Sequence, residues 1–523
     1  MEFYPELMPV EIELKLTVPL KHSNRLLRLP LLESLSTSCQ KTHKLYSIYY
    51  DTPEFYLKNH GIAFRLRRNG SRWIQTVKDK GQISAGLFQH RELEVPVKSA
   101  QPDYTKIIDP ELKKLFNNPA LAQQIQPIFS TQFTRNTRLL HLEDGSKVEF
   151  CLDRGKISTD HSSMPLCEIE LELKSGDATQ LFQLALALQK VSPFSLRLGN
   201  ASKAERGYTL SSGCKRPPLK ATFIPPNADM CVKTALKTIC WDCLGHLSSN
   251  ENGMLKEQQF EYLHQMHVAL RRQRSALKIF SKAFPEESVV SLTQELKWLT
   301  AQFNPALDWD VFITTTLQAI QDSYADHTGI SMLMRACKQL RHQHHKTAHR
   351  AVKSKRYLEI MLKLGAWLSA ELLPSQLQTK NTLELANTLL NEQHQQLRKY
   401  GKTLTKLNAS DLHSLRITTK KQCVVTEFFS DLYPNNKTSQ YLRALHKLHD
   451  IFCTMNANTV FKKLLNEVKI TKKKRAQNEA IGIILGWTMH HSLQKKMELN
   501  RAWNSFNRIS PFWPPEINHK LRQ

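Results

Sequence analysis

From Val10 to about Leu210, apolar and polar residues alternate with period two, which predicts half-buried β-strands. VEIELKLTV sets Val10, Ile12, Leu14, Leu16 and Val18 against Glu11, Glu13, Lys15 and Thr17. IAFRLRR sets Arg65 and Arg67 opposite Phe64 and Leu66, and RELEV sets Glu92 and Glu94 opposite Leu93 and Val95. KVEFCLD sets Lys147, Glu149 and Asp153 against Val148, Phe150 and Leu152; CEIELELK sets Glu168, Glu170, Glu172 and Lys174 against Ile169, Leu171 and Leu173. Asp177 to Gln189 is patterned as one amphipathic helix. The segment Cys214 to Met230 carries four prolines and no period, and is the best linker. Beyond it the period becomes 3.6, predicting an all-helical domain over 231–510.

The polar faces of these strands are unusual. A solvated sheet interleaves Lys, Thr, Ser and Gln, whereas these strands repeat E-x-E and R-x-R. Carboxylates two residues apart project from one face, roughly 7 Å apart along the strand. Opposed E-x-E strands would offer hard oxygen ligands to Mg²⁺ or Mn²⁺, ions that usually work with substrate phosphates. Arg and Lys on other inward faces would neutralise phosphate oxygens, Arg through its bidentate fork.

Charge sharpens the picture. Residues 1–220 hold 31 Lys and Arg against 23 Asp and Glu, a balance of +8; the remaining 42 against 24 give 221–523 a balance of +18. The helical half is thus a cationic surface suited to an anionic partner. The N-terminus has no basic region leading into an apolar core, so no signal peptide is expected. The apolar run Ala480 to Met489 is too short to span a bilayer. Ten scattered cysteines fit reduced thiols and a cytoplasmic location, and the lone pair Cys240 and Cys243 lacks the second ligand pair of a zinc site.

The start E-I-E-L-K resembles the E-x-E-x-K signature of the CYTH superfamily, the triphosphate tunnel metalloenzymes. Later elements follow in family order: Tyr49 to Pro53, Phe64 to Arg67, Thr76 to Lys78, RELEV, Leu152 to Gly155, CEIELEL and Ser202 to Tyr208. The resemblance covers about 8–212 and implies an eight-stranded antiparallel tunnel with a metal-dependent triphosphatase site inside. Carried over by position, Glu11, Glu13, Glu168, Glu170 and Asp153 hold metal, and Lys15, Arg65, Arg67, Lys78, Arg135 and Lys203 grip phosphates. Glu11, Glu13, Lys15 and Asp153 are the expected catalytic set. Glu172, Glu149, Glu92, Glu94 and Arg138 are also expected to face the tunnel. Asp51, in YYDTP, reads better as turn chemistry at a strand end than as a catalytic acid.

The helical half carries a degenerate repeat: Leu263 to Phe280 aligns without a gap on Leu412 to Phe429. His264, His267, Arg271 and Arg274 fall within about 80° of a helical wheel, and His413, Arg416 and Lys420 repeat the stripe. This half resembles the CHAD domain, a histidine-rich helical module, which implies polyphosphate binding along basic faces. The copy departs from that pattern at His267, Leu307 and Cys423, where basic residues are usual. His345 and His349 stand one turn apart, but with no Cys or carboxylate partner in reach a basic face is expected there rather than a metal site.

The expectation is therefore an α+β multidomain chain: 1–213 a tunnel domain, 214–230 a linker, 231–510 a helical domain, 511–523 a tail. The leading function is metal-dependent hydrolysis of inorganic triphosphate, with Mg²⁺ or Mn²⁺, beside a module for polyphosphate or another polyanion. One alternative is a tunnel enzyme acting on a nucleotide or thiamine triphosphate, adenylate cyclisation included. A non-enzymatic nucleic-acid or polyanion binder is the other, though no RNP or C2H2 pattern is present and it leaves the E-x-E strands unexplained. A membrane partner is not expected.

Overall fold

The computed structural model describes residues 10–79, 81–214, 216–221, 230–257, 259–279, 286–370, 381–401, 409–468 and 474–514. Most of the expected linker, at 215 and 222–229, and the end of the tail, from 515, lie outside the described residues.

Ten strands form one antiparallel sheet: β1 (Val10–Thr17), β2 (Lys41–Asp51), β3 (Ile62–Asn69), β4 (Arg72–Asp79), β5 (Gln82–Ser84), β6 (Leu87–Val97), β7 (Gln126–His141), β8 (Lys147–Ser158), β9 (Ser163–Ser175) and β10 (Arg197–Leu198). Their order is β10-β1-β9-β8-β7-β2-β3-β4-β6-β5, and β1 also pairs with β6. That pairing closes eight strands into a barrel and leaves β5 and β10 as short flaps.

Closure turns alternation into an inside and an outside. The apolar face is the outer one. Leu14, Leu16, Ile169, Leu171, Phe150 and Leu152 are buried there, as are Leu181, Phe182, Leu184, Ala185 and Leu188 of the helix Thr179–Val191. A second apolar layer joins Leu57, Phe64, Leu66, Val77, Ile107 and Phe116. The expected Asp177–Gln189 helix is present two residues later. Period two does not extend to Leu210, because Lys203–Ser212 is a helix, begun by a capping box at Ser202 and Glu205. A Cβ on Gly207 would lie 2.0 Å from the Phe129 ring, so glycine lets this helix lie close on β7.

Helical segments also belong to this body. One compact unit comprises Met1–Leu219, Leu247–Gly253 and Val352–Glu371, and the rest of the chain forms the other. Within the first, Glu251 pairs with Arg197 at 2.6 Å, and Gly365 of the helix Lys355–Ser369 lies against Phe182.

The second unit is helical, with a core that joins Trp309, Phe312, Ile330, Leu333, Met334, Phe461, Leu464 and Ile484. The repeated segments lie on the helices Phe260–Ile279 and Ala409–Phe429, except Phe280, which lies outside the described residues.

Candidate active site inside the barrel

Cross-strand register decides which side chains share the interior. Directly opposed residues project to the same face. Glu11 stands opposite His90, Lys15 opposite Glu170, Lys78 opposite Glu92, and Asp153 opposite both Arg135 and Glu168. Arg65 stands opposite Tyr49 and Thr76. The resulting cavity of about 590 Å³ is walled by Glu11, Glu13, Glu170 and Glu172, and by Arg65, Arg67, Arg135, Lys15, Lys78 and Lys203.

On one wall three carboxylates surround one ammonium. Lys203, at the start of its helix, sends Nζ to 2.7 Å from Asp153, 2.6 Å from Glu168 and 2.8 Å from Glu170. Arg135 donates to both Asp153 oxygens, at 2.8 and 2.7 Å, and also reaches Glu170. Lys15 lies 2.8 Å from Glu13 and contacts Glu170. Burial by itself would lower Lys15 and Lys203, but the surrounding carboxylates override it and hold both ammonium groups above their usual range. Burial would likewise raise Asp153 and Glu170, yet their cations hold both carboxyls low. Phe133 gives Lys203, Arg135 and Arg67 one aromatic floor, 5.1 to 5.9 Å away.

The opposite wall is balanced differently. Arg65 pairs with Glu92 at 3.0 Å and Glu94 at 3.4 Å. Arg67 donates to the Ser47 hydroxyl at 3.2 Å. Burial, reinforced by Arg65 and Arg135, pushes Arg67 down to about 10. Three guanidinium groups thus face the cavity, and one is charged at a cost that an anion would relieve. Lys78 contacts Glu92 and lies 3.2 Å from Glu11.

Among the described residues, two sets of three side chains bring one donor atom each within 4.8 Å of one another: Asp153, Glu168 and Glu170, and Glu11, His90 and Glu92. Such donors suit a divalent cation. The first set is filled by the Lys203 ammonium, and neither Asp153 nor Glu168 reaches the cavity wall. From β9 it is Glu170 and Glu172 that do, because Glu172 stands opposite Glu13.

Other expectations resolve singly. Glu92 and Glu94 line the cavity; Glu149 does not. Arg138 is turned away, donating to Leu27 O and Gln40, since three positions from Arg135 lie on opposite faces of a strand. Asp51 accepts from the Leu57 and Lys58 amides and the Tyr208 hydroxyl, a structural role at a helix start. His90 was not singled out by any motif.

In the helical unit the two stripes converge. Burial comes first among the causes that push Lys420 down to about 8, and Arg271 and Arg416 add to it. His267 and His449 are each pushed down to about 4 by burial, with Arg271 and Lys420 adding to it. Arg274 is half-buried, its Nη1 3.4 Å from Thr300 Oγ1; His264 and His413 are exposed at the edges. His449 comes from a third helix, Asn435–Glu467. His345 does have a carboxylate in reach: the buried Asp310, 2.9 Å away and also held by Arg341. His349 turns elsewhere, 3.0 Å from Leu255 O. Cys240 and Cys243 are buried thiols, Cys243 pushed up to about 12 by that burial.

Residues 9–208 match the CYTH domain family and residues 238–466 the CHAD domain family. The chain is a CYTH–CHAD protein. An inorganic triphosphatase of Haemophilus influenzae is 34% identical over 167 residues, covering 31% of this chain and 45% of that protein. The chain thus spans less than half the length of that relative. The CHAD domain structure from the plant Ricinus communis is 28% identical, covers 57% of this chain and 98% of its own, and superposes with a TM-score of 0.50. A Hippeastrum structure described as revealing a dominant triphosphatase activity is 18% identical and covers 40% of this chain and 98% of its own, at a TM-score of 0.30. Among the described residues no helix is long and apolar enough to cross a membrane.

Proposed function

We propose that the CYTH barrel hydrolyses inorganic triphosphate to diphosphate and phosphate, with a divalent cation as cofactor. The observation that carries this reading is one cavity lined both by Arg65, Arg67 and Arg135 and by Glu11, Glu13, Glu170 and Glu172, with Arg67 held below its usual range by burial and by Arg65 and Arg135. The Haemophilus relative's description as an inorganic triphosphatase agrees with it. Glu11, Glu13 and Glu170 would hold the cation, which when bound neutralises phosphate oxygens and favours attack by water. Arg65, Arg67 and Arg135 grip the equatorial oxygens. Lys15 and Lys203 neutralise charge on the leaving diphosphate, and Asp153 and Glu168 position Lys203. Catalysis here is positioning plus charge neutralisation. Phosphorus NMR of the products tests it: triphosphate should give equal diphosphate and phosphate, with its terminal and middle signals lost together.

The CHAD unit is proposed to bind polyphosphate through His267, Arg271, Arg416 and Lys420, because burial, reinforced by the converging Arg271 and Arg416, holds Lys420 at a depressed value that a polyanion would raise. His264, Arg274 and His413 extend the same face. Titration of labelled polyphosphate against RNA of equal charge tests it, and preference for RNA would move the reading to nucleic acid. Ten free cysteines agree with a reducing cytoplasm.

A further inference from the structure

The helix Lys474–Asn507 carries apolar residues on two opposite faces. One face is buried: Ala480, Ile484, Leu499, Ala502 and Phe506 lie on it, and Ala480 and Ile484 belong to the core of the helical unit. The other face is in solvent. Met489, Leu493 and Met497 recur every four residues, on the side of the helix away from the buried set, and are 53%, 55% and 70% exposed. Single exposed apolar residues need no explanation, but three in one stripe mark an interaction surface. Gly482 and Gly486, both exposed, extend the same stripe by two further turns. Glycine inside a helix destabilises it relative to alanine. Packing within the chain does not require either one: among the described residues, a Cβ at these positions would meet no heavy atom within 4 Å. Close approach by another helix from outside accounts for both glycines.

We propose that this stripe is the interface of an antiparallel dimer, its occupant a second copy of the same chain. The stripe is self-complementary. With a two-fold axis between residues 489 and 490, Gly482 faces the partner's Met497 and Gly486 faces the partner's Leu493, so large side chains enter the spaces that the glycines leave. The exposed Glu479 then comes beside the partner's Arg501 at each end of the contact, an opposite-charge pair formed twice. A parallel pair would instead set glycine on glycine and Glu479 on Glu479. From Gly482 to Met497 the overlap is about 22 Å at 1.5 Å per residue. One helix pair of that length is a small interface, so association should fall in the micromolar range.

Sedimentation velocity on the full chain tests this, with circular dichroism to confirm folding of each variant. Wild type should pass from monomer to dimer as concentration rises through the micromolar range; a chain that stays monomeric to about 100 µM refutes the proposal. Leu493→Glu should remove the dimer, whereas Val290→Glu, at another exposed apolar position, should leave it. Gly486→Leu separates folding from association. The monomer has room for the side chain, so Tm should rise, while overpacking of the contact should weaken the dimer at least roughly tenfold. A dimer unchanged in Leu493→Glu or Gly486→Leu places the interface elsewhere and overturns the assignment. Glu479→Arg and Arg501→Glu should each weaken the dimer, and the two together should restore it; failure to restore refutes the antiparallel register. Flotation with vesicles of anionic lipid is the last arm. Wild type that stays monomeric but floats, with flotation lost in Leu493→Glu, would assign the stripe to a lipid surface and overturn the dimer.

Discussion

The Lys203 ammonium lies 2.7 Å from an Asp153 carboxylate that has no solvent exposure. That contact ties the start of the helix Lys203–Ser212 to β8 and fixes a cation beside the cavity. Removing Asp153 leaves Lys203 with Glu168 and Glu170 only. Asp153→Asn should therefore cost roughly 3 kcal/mol at pH 7, the low end for breaking a buried pair, and lower phosphate release. Arg135 and Lys203 together overcome burial and hold Asp153 below its usual value. Stability from a lowered carboxyl is fully present above its unfolded value of about 3.9 and is lost as pH falls through the folded one. The penalty should thus shrink in thermal melts below about pH 4.

Arg67 separates binding from folding. Its neighbours are Arg65 and Arg135, and its hydrogen bond goes to Ser47. Arg67→Met should change stability by no more than about 1 kcal/mol while KM for triphosphate rises roughly 10–100-fold, the worth of one charged hydrogen bond. An equal loss of Tm and activity would place Arg67 in the framework instead.

Glu11 and Glu13 carry the cofactor assignment. Glu11→Gln and Glu13→Gln should each abolish turnover at saturating Mn²⁺, with thermal melts showing the fold intact, since the apolar layers lie on the other face of β1. Near wild-type phosphate release from either variant would remove that residue from the site.

Which of these features were legible beforehand follows from geometry. E-x-E and R-x-R alternation exposes the shared face of a strand, so Glu11, Glu13, Arg65, Arg67 and Glu170 could be found in one dimension. His90 could not, because a single histidine beside RELEV has no pattern until β1 pairs with β6. Asp153 and Glu168 have the right parity but stand behind Lys203, and parity does not report depth. His345 and Asp310 meet across 35 residues and two helices, beyond any helical period. The segments 247–253 and 352–371 share the 3.6 period of the helical half, so periodicity could not assign them to the barrel's unit.

The CHAD cluster makes a pH prediction. Burial, then Arg271 and Arg416, hold Lys420 at about 8 in the free protein, and a bound polyanion favours its charged form and raises it. Binding then takes up a proton above pH 8. Affinity for polyphosphate should be highest below pH 8 and fall as pH rises beyond it, an effect that Lys420→Arg should suppress. Calorimetry in buffers of different ionisation heat reads the proton uptake directly, and no uptake at pH 8.5 would exclude Lys420 from the contact.

Substrate choice is the most direct test of the central claim. The measurement is initial phosphate release from inorganic triphosphate, ATP and thiamine triphosphate, each with Mg²⁺, with Mn²⁺ and with chelator. A barrel that grips phosphates with Arg65, Arg67 and Arg135 should give the highest kcat/KM for inorganic triphosphate and lose activity in chelator. Equal or higher efficiency with ATP, appearance of cyclic AMP, or full activity in chelator would contradict it.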